Sequence, residues 1–288
     1  MAIKKTLMGI ALSAAMAIMP TTAKAEERPR YIDWTYNNRN EAIAAVSCAN
    51  IVLSCLKSGI GSYMNDKGFL NGCAKGSLAG IVMSAGEYTA TFAADKKAHP
   101  ITGGLGKLTH DLGVSISDNV MRGENMLSQY QTELGPLTLT FRDSITPKLS
   151  ITIIPISAIG SNIIVGNKFD LKKSLYYLTP VFKMKDTITI GGMATDGYSI
   201  GNVITYKSNK FNKGNDTISH ELNHTLFWSK LRFCGDLLHP APHMAEVEKA
   251  WNIGQEACYG LINLPMVINN KTYYYQPHEI EARMMERQ

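Results

Sequence analysis

Between residues 38 and 64, apolar side chains return at Ala42, Ala45, Val46, Ala49, Val52, Leu53 and Leu56. Steps of three and four predict a helix that ends near Gly59 and Gly61. From Phe69 to Ala94 the pattern is only weakly hydrophobic, and Gly72, Gly76 and Gly80 recur at every fourth position, followed by Gly86. On a helix such a row is a smooth ridge. Inside a bilayer it draws helices together, whereas in a water-soluble domain it lets a second element approach closely. Lys75, Glu87 and Asp95 interrupt the segment and favour the second reading. A third helical stretch with glycines spans roughly Gly104 to Met121 and contains Leu105, Leu108, Leu112 and Ile116.

After Gly135-Pro136 the period shortens to two. Alternation over 137–141 and 149–154, with β-rich runs over 163–165, 187–190 and 198–206, predicts strands separated by Gly, Asn, Asp and Pro. From about Asp216 the helical period returns. Asp216 can cap the first turn, and Ile218, Leu222, Leu226 and Phe227 form an apolar stripe. Helices, then strands, then helices argue for an α+β fold without internal repeat, with a mainly antiparallel central sheet. The expected division is a glycine-rich helical region over 26–135 and a second region over 136–288.

The first residues change the picture of the compartment. Lys4 and Lys5 precede a weakly polar run to Met19, then Pro20 and the small-residue triplet Ala23-Lys24-Ala25. This is the pattern of a signal peptide over 1–25, cleaved after Ala25, in a bacterial periplasmic or secreted protein. The run is too short and too rich in Ala and Ser to span a bilayer, and no cysteine follows it for a lipid anchor. Of 29 basic and 24 acidic residues, three lysines precede Ala25, so the remaining chain carries about +2. Without a basic stripe interleaved with aromatics, no nucleic-acid partner is indicated. Peripheral association with the envelope stays open. The five cysteines, Cys48, Cys55, Cys73, Cys234 and Cys258, allow a Cys234–Cys258 bridge and one pair among the first three, with one left over. Alternatively, several are small buried apolar residues.

The candidate chemistry lies at His220-Glu221-Leu222-Asn223-His224. Residues four apart share one helix face, so both imidazoles can reach one metal ion with the intervening carboxylate beside it. A hydrolytic zinc site takes three protein ligands and keeps one position for water. The third donor can come from the tail, where Glu279 and Glu281 stand in Pro277-His278-Glu279-Ile280-Glu281-Ala282-Arg283. As alternatives, two such histidines can be surface residues, and the two glutamates the solvated face of a terminal helix.

At these residues the chain resembles the gluzincin-type zinc peptidases. His220-Glu-Leu-Asn-His224-Thr is similar to their H-E-L-G-H-T segment, and Glu279-Ile-Glu281-Ala282 to the E-x-E-A-D string of the secreted and membrane-bound heat-shock and prenyl-protein peptidases. The resemblance implies a zincin-like catalytic region over 136–288, Zn2+ as cofactor, His220, His224 and Glu279 as ligands, and Glu221 as general base. It covers only these segments and the strand before the first helix. Asn223 replaces the family's glycine, and Arg283 its aspartate, leaving Glu281, Asp216 or Asp236 to orient a histidine. Oxyanion donors can be drawn from His243, His278 and Tyr273 to Tyr275, with His243 and Tyr274 as leading candidates. The run Tyr198 to Tyr206, with Gly201, Asn202 and Val203 at its centre, is the candidate strand for pairing with an extended peptide or unfolded protein. Against a zinc metallopeptidase stands a second function: a cell-envelope binding or assembly protein with a structural or vestigial zinc site.

Overall fold

A computed structural model describes residues 39–94, 99–142, 146–151, 153–190, 193–207, 217–226 and 229. The expected helices are α1 (Arg39–Met64), α2 (Phe69–Thr91, continued by a 3-10 turn over Phe92–Ala94) and α3 (Ile101–Met121). They pack as a bundle in which α2 lies against both neighbours. The glycine ridge sets the contact between α1 and α2. A Cβ added at Gly76 would lie 2.2 Å from the Ser54 carbonyl oxygen and 2.6 Å from Ser58 Cβ. Gly72 and Gly80 meet the α1 backbone in the same way. Gly76→Val therefore has to separate two helices, and is expected to cost about 3 kcal/mol or more; a urea midpoint within experimental error of wild type would refute this contact. The Cys55–Cys73 disulfide ties the two helices together, and Cys48 is exposed and free. One pair among the first three cysteines was the expectation; Cys234 and Cys258 lie outside the described residues.

The burial pattern corrects the sequence reading. The periodic residues Ala49, Val52, Leu53 and Leu56 of α1 face outward, and Leu105 of α3 is exposed. Polar and charged groups fill the bundle instead. Lys57 pairs with Asp118, Lys107 Nζ lies 3.0 Å from Asp111 Oδ2, and His110 Nε2 lies 3.3 Å from Glu87 Oε1, all buried. Asn50 Nδ2 donates to Glu87 Oε2 at 2.7 Å, and Ser58 and Ser62 donate to the α3 carbonyls of Ser117 and Val120. Small side chains let backbones close up, and the polar groups satisfy one another at that distance.

Strands begin earlier than the change of period suggested. β1 (Gln129–Leu134) precedes the Gly135-Pro136 turn and pairs antiparallel with β2 (Leu137–Arg142), which pairs with β3 (Lys148–Ile151). Thr132 Oγ1 donates to Asp111 Oδ2 at 2.6 Å, fastening this sheet to α3. The isoleucine-rich run that follows is helical: α4 spans Ile153–Ile164, so residues 163–165, expected as a strand, lie at its C-terminal end. Pro155 is tolerated in a first turn, and tertiary packing of Ala158 on Phe182 and Val203 overrides β-propensity.

The second sheet is mixed, in the order β4 (Lys168–Phe169), β5 (Val181–Lys183), β9 (Ile204–Tyr206), β8 (Gly197–Ser199), with β5 and β9 parallel. Helix α5 (Leu171–Tyr177), capped by Asp170, links β4 to β5, and β6 (Ile188–Ile190) and β7 (Met193–Thr195) form a hairpin. Phe182 on β5 and Val203, just before β9, pack on Ala158 of α4. Val181, Ile204 and Tyr206 belong to a separate core with a further helix, α6, over residues 217–226. The α+β class is as expected.

Candidate metal centre

Helix α6 is held by the stripe seen in its sequence. Ile218, Leu222 and Leu226 are fully buried against Ala90, Ala93, Tyr177, Val181, Ile204 and Tyr206. This docks α6 onto the sheet and onto the end of α2 together. Ser229 adds a link to the bundle, its Oγ lying 3.4 Å from His110 Nδ1 and accepting or donating according to the imidazole tautomer. Phe227 lies outside the described residues.

With 100° of rotation per residue, His220 and His224 share a line on a side of α6 away from the apolar stripe. Their Nε2 atoms are 2.9 Å apart, and the rings meet edge to face at 4.6 Å between centroids. Donor atoms from His220, Glu221 and His224 all lie within 4.8 Å of one another, a group that could hold a metal ion. The three side chains fit that role. Two nitrogens on one tetrahedral zinc stand about 3.3 Å apart at the usual bond lengths, so the rings need open by only a fraction of an ångström. Two imidazoles and a carboxylate suit Zn2+ and other borderline divalent ions better than Ca2+ or Mg2+. All three residues are less than a tenth exposed, so the pair is held by packing rather than mobile on the surface.

The sheet places β8 beside this group. Among the described residues β8 ends the strand order of the mixed sheet, and its Gly197 lies directly over α6. A Cβ there would stand 2.4 Å from Thr217 Cγ2 and 3.0 Å from Glu221 Oε1. Only glycine lets the strand approach so closely. Gly197→Val is expected to push Glu221 and its helix aside and to weaken metal binding about 10–100-fold; an unchanged affinity in chelator competition would count against the contact.

The remaining site candidates divide clearly. Gly201, Asn202 and Val203 lie in the turn between β8 and β9 rather than on an open edge: Ile200 and Val203 exchange backbone hydrogen bonds, and all three residues are buried. Asn202 is engaged by Thr179 through its carbonyl and side-chain oxygens. The expected run from Tyr198 to Tyr206 is thus two strands and a turn. Glu279, Glu281, His243, Tyr274 and the other proposed oxyanion donors lie outside the described residues, as do Asp216 and Asp236. Sequence reasoning missed Gly197, whose signal was the turn dipeptide Asp196-Gly197. It also missed His110, which reaches Ser229 from a distant element. No family model, curated protein or solved structure matches the chain.

Proposed function

We propose that the protein is a periplasmic or secreted zinc-dependent metallopeptidase of gluzincin-like type that hydrolyses peptide bonds in extended or unfolded polypeptides. The observation that carries this reading is the convergence of His220 Nε2, His224 Nε2 and the Glu221 carboxylate on one buried helix beside β8. His220 and His224 hold the ion, with Glu279 proposed as third ligand and Glu281 as its support. When bound, zinc supplies Lewis acidity, which lowers the pKa of water towards ~7 and polarises a carbonyl. Glu221 takes the proton of the attacking water and returns it to the leaving amine. His243 or Tyr274 donates to the developing oxyanion. β8, whose Gly197 lies beside Glu221, is the proposed strand for pairing with an extended substrate. The Cys55–Cys73 disulfide supports an oxidising compartment and hence the signal-peptide reading of residues 1–25.

The near-complete burial of His220, Glu221 and His224 favours a second reading, in which the ion pins the fold of an envelope binding or assembly protein. Zinc content and cleavage of an unfolded casein-like substrate decide. The peptidase reading expects about one zinc per chain, and loss of both zinc and cleavage in His220→Ala and His224→Ala. Absence of zinc from the wild type, or cleavage that persists in both variants, would overturn it.

A further inference from the structure

The α1–α2 hairpin is sorted the wrong way round for water. Every exposed position described between Ala44 and Tyr63 on α1 is apolar, cysteine or tyrosine, and between Phe69 and Tyr88 on α2 only Asn71 departs from this. Leu53 is 48% exposed and Ile81 51%. Many polar residues of the same helices turn inward, among them Lys57 to Asp118 and Glu87 to His110, while Lys75 is half-buried. A helix on a water-facing surface shows the reverse arrangement. The glycine ridge that joins the two helices is also the packing mode of helices in hydrocarbon.

We infer that the outer face of this hairpin lies in a phospholipid bilayer, with both helix axes along the membrane plane and the exposed side chains sunk into the acyl region. Charge complementarity selects hydrocarbon as the occupant. The face has no charged group at any exposed described position along both helices, while a protein partner of this extent brings about one hydrogen bond per 100–200 Å2 and a polar rim for which the face has few donors or acceptors. The in-plane orientation follows from the other side. There α3 covers the hairpin and is itself covered by β1 and α5, and among the described residues no helix is long and apolar enough to cross a membrane. An uncharged face binds through buried apolar area, so binding should be indifferent to salt and to anionic lipid. This placement does not depend on the metal centre being catalytic.

The test is flotation of the full chain, as purified from the cell fraction where it accumulates, with neutral phosphatidylcholine vesicles at low and high salt. The wild type is expected to float at both, and Leu53→Lys/Ile81→Lys to lose at least tenfold in the floated fraction while keeping its circular dichroism spectrum. Leu53→Trp, which preserves the apolar surface, provides a second measurement: its additional fluorescence, relative to wild type, should be quenched by bromine-labelled acyl chains. No flotation of the wild type, equal flotation of the lysine variant, or absence of that quenching would overturn the inference. So would a dimer in solution that the lysine variant converts to a monomer without any vesicle binding, since a second copy would then cover the face.

Discussion

Glu221→Gln is expected to leave the metal content unchanged and to lower kcat/KM for an unfolded substrate by about 10²–10⁴-fold. Glutamine matches the shape of glutamate, so the close approach of Gly197 to the Glu221 side chain is preserved. It cannot accept a proton at the working pH. If the ion rests on His220, His224 and Glu279, an amide at position 221 removes only proton transfer. Zinc measured by emission spectroscopy should stay near one per chain while cleavage disappears, and the urea midpoint should hold because Ile218, Leu222 and Leu226, which anchor α6, are untouched. Loss of zinc in this variant would instead make Glu221 a ligand, as its place within the 4.8 Å group also permits, and would remove the general base from the scheme. A wild type that holds zinc but cleaves no member of a broad peptide library would leave the binding protein as the function.

What the sequence made legible follows from which interactions are local. The five-residue site string and the stripe Ile218, Leu222 and Leu226 depend on helical spacing alone, and the structure brings both to their expected faces. The end of α3 near Met121 followed from the period, again a local quantity, whereas α1 runs through Gly59 and Gly61, where its end was expected, to Met64. The direction of each face did not. Apolar periodicity in α1 predicts a buried stripe only if water is the solvent on the other side, and here Ser54, Lys57, Ser58 and Ser62 are buried instead. Their burial depends on partners more than fifty residues away, such as Asp118 and Ser117, and no window on the sequence contains both. The isoleucine run at the end of α4 failed for a similar reason. β-branched residues favour strands, but Asn162 receives hydrogen bonds from Thr205 Oγ1 on β9 and from Asn167, a tertiary arrangement that fixes the helix on the sheet.

Asp111→Asn should cost about 3–5 kcal/mol near neutral pH, because it leaves the Lys107 ammonium buried without its counter-charge. Burial alone would raise the Asp111 carboxyl. The opposing influences outweigh it, first the Lys107 charge, then hydrogen bonding and charge from His110, then the Thr132 hydroxyl, and together they hold the group well below the usual carboxylate range. The sign follows from that depression. A carboxyl with a lower pKa folded than unfolded adds stability that is complete above its unfolded value of about 3.9 and disappears as pH falls through the folded value. The difference between wild type and variant should therefore be largest from neutrality down to about pH 5 and should shrink steadily below about pH 4, as measured from urea midpoints across the range. Since Thr132 on β1 shares the same carboxyl, the loss should reach beyond the bundle. Amide exchange of the β1–β2 hairpin is expected to quicken together with that of α3. A variant within 1 kcal/mol of wild type at pH 7, or a deficit that stays constant into acid, would show that the buried pair contributes no net stability and that the polar interior of the bundle is tolerated rather than used.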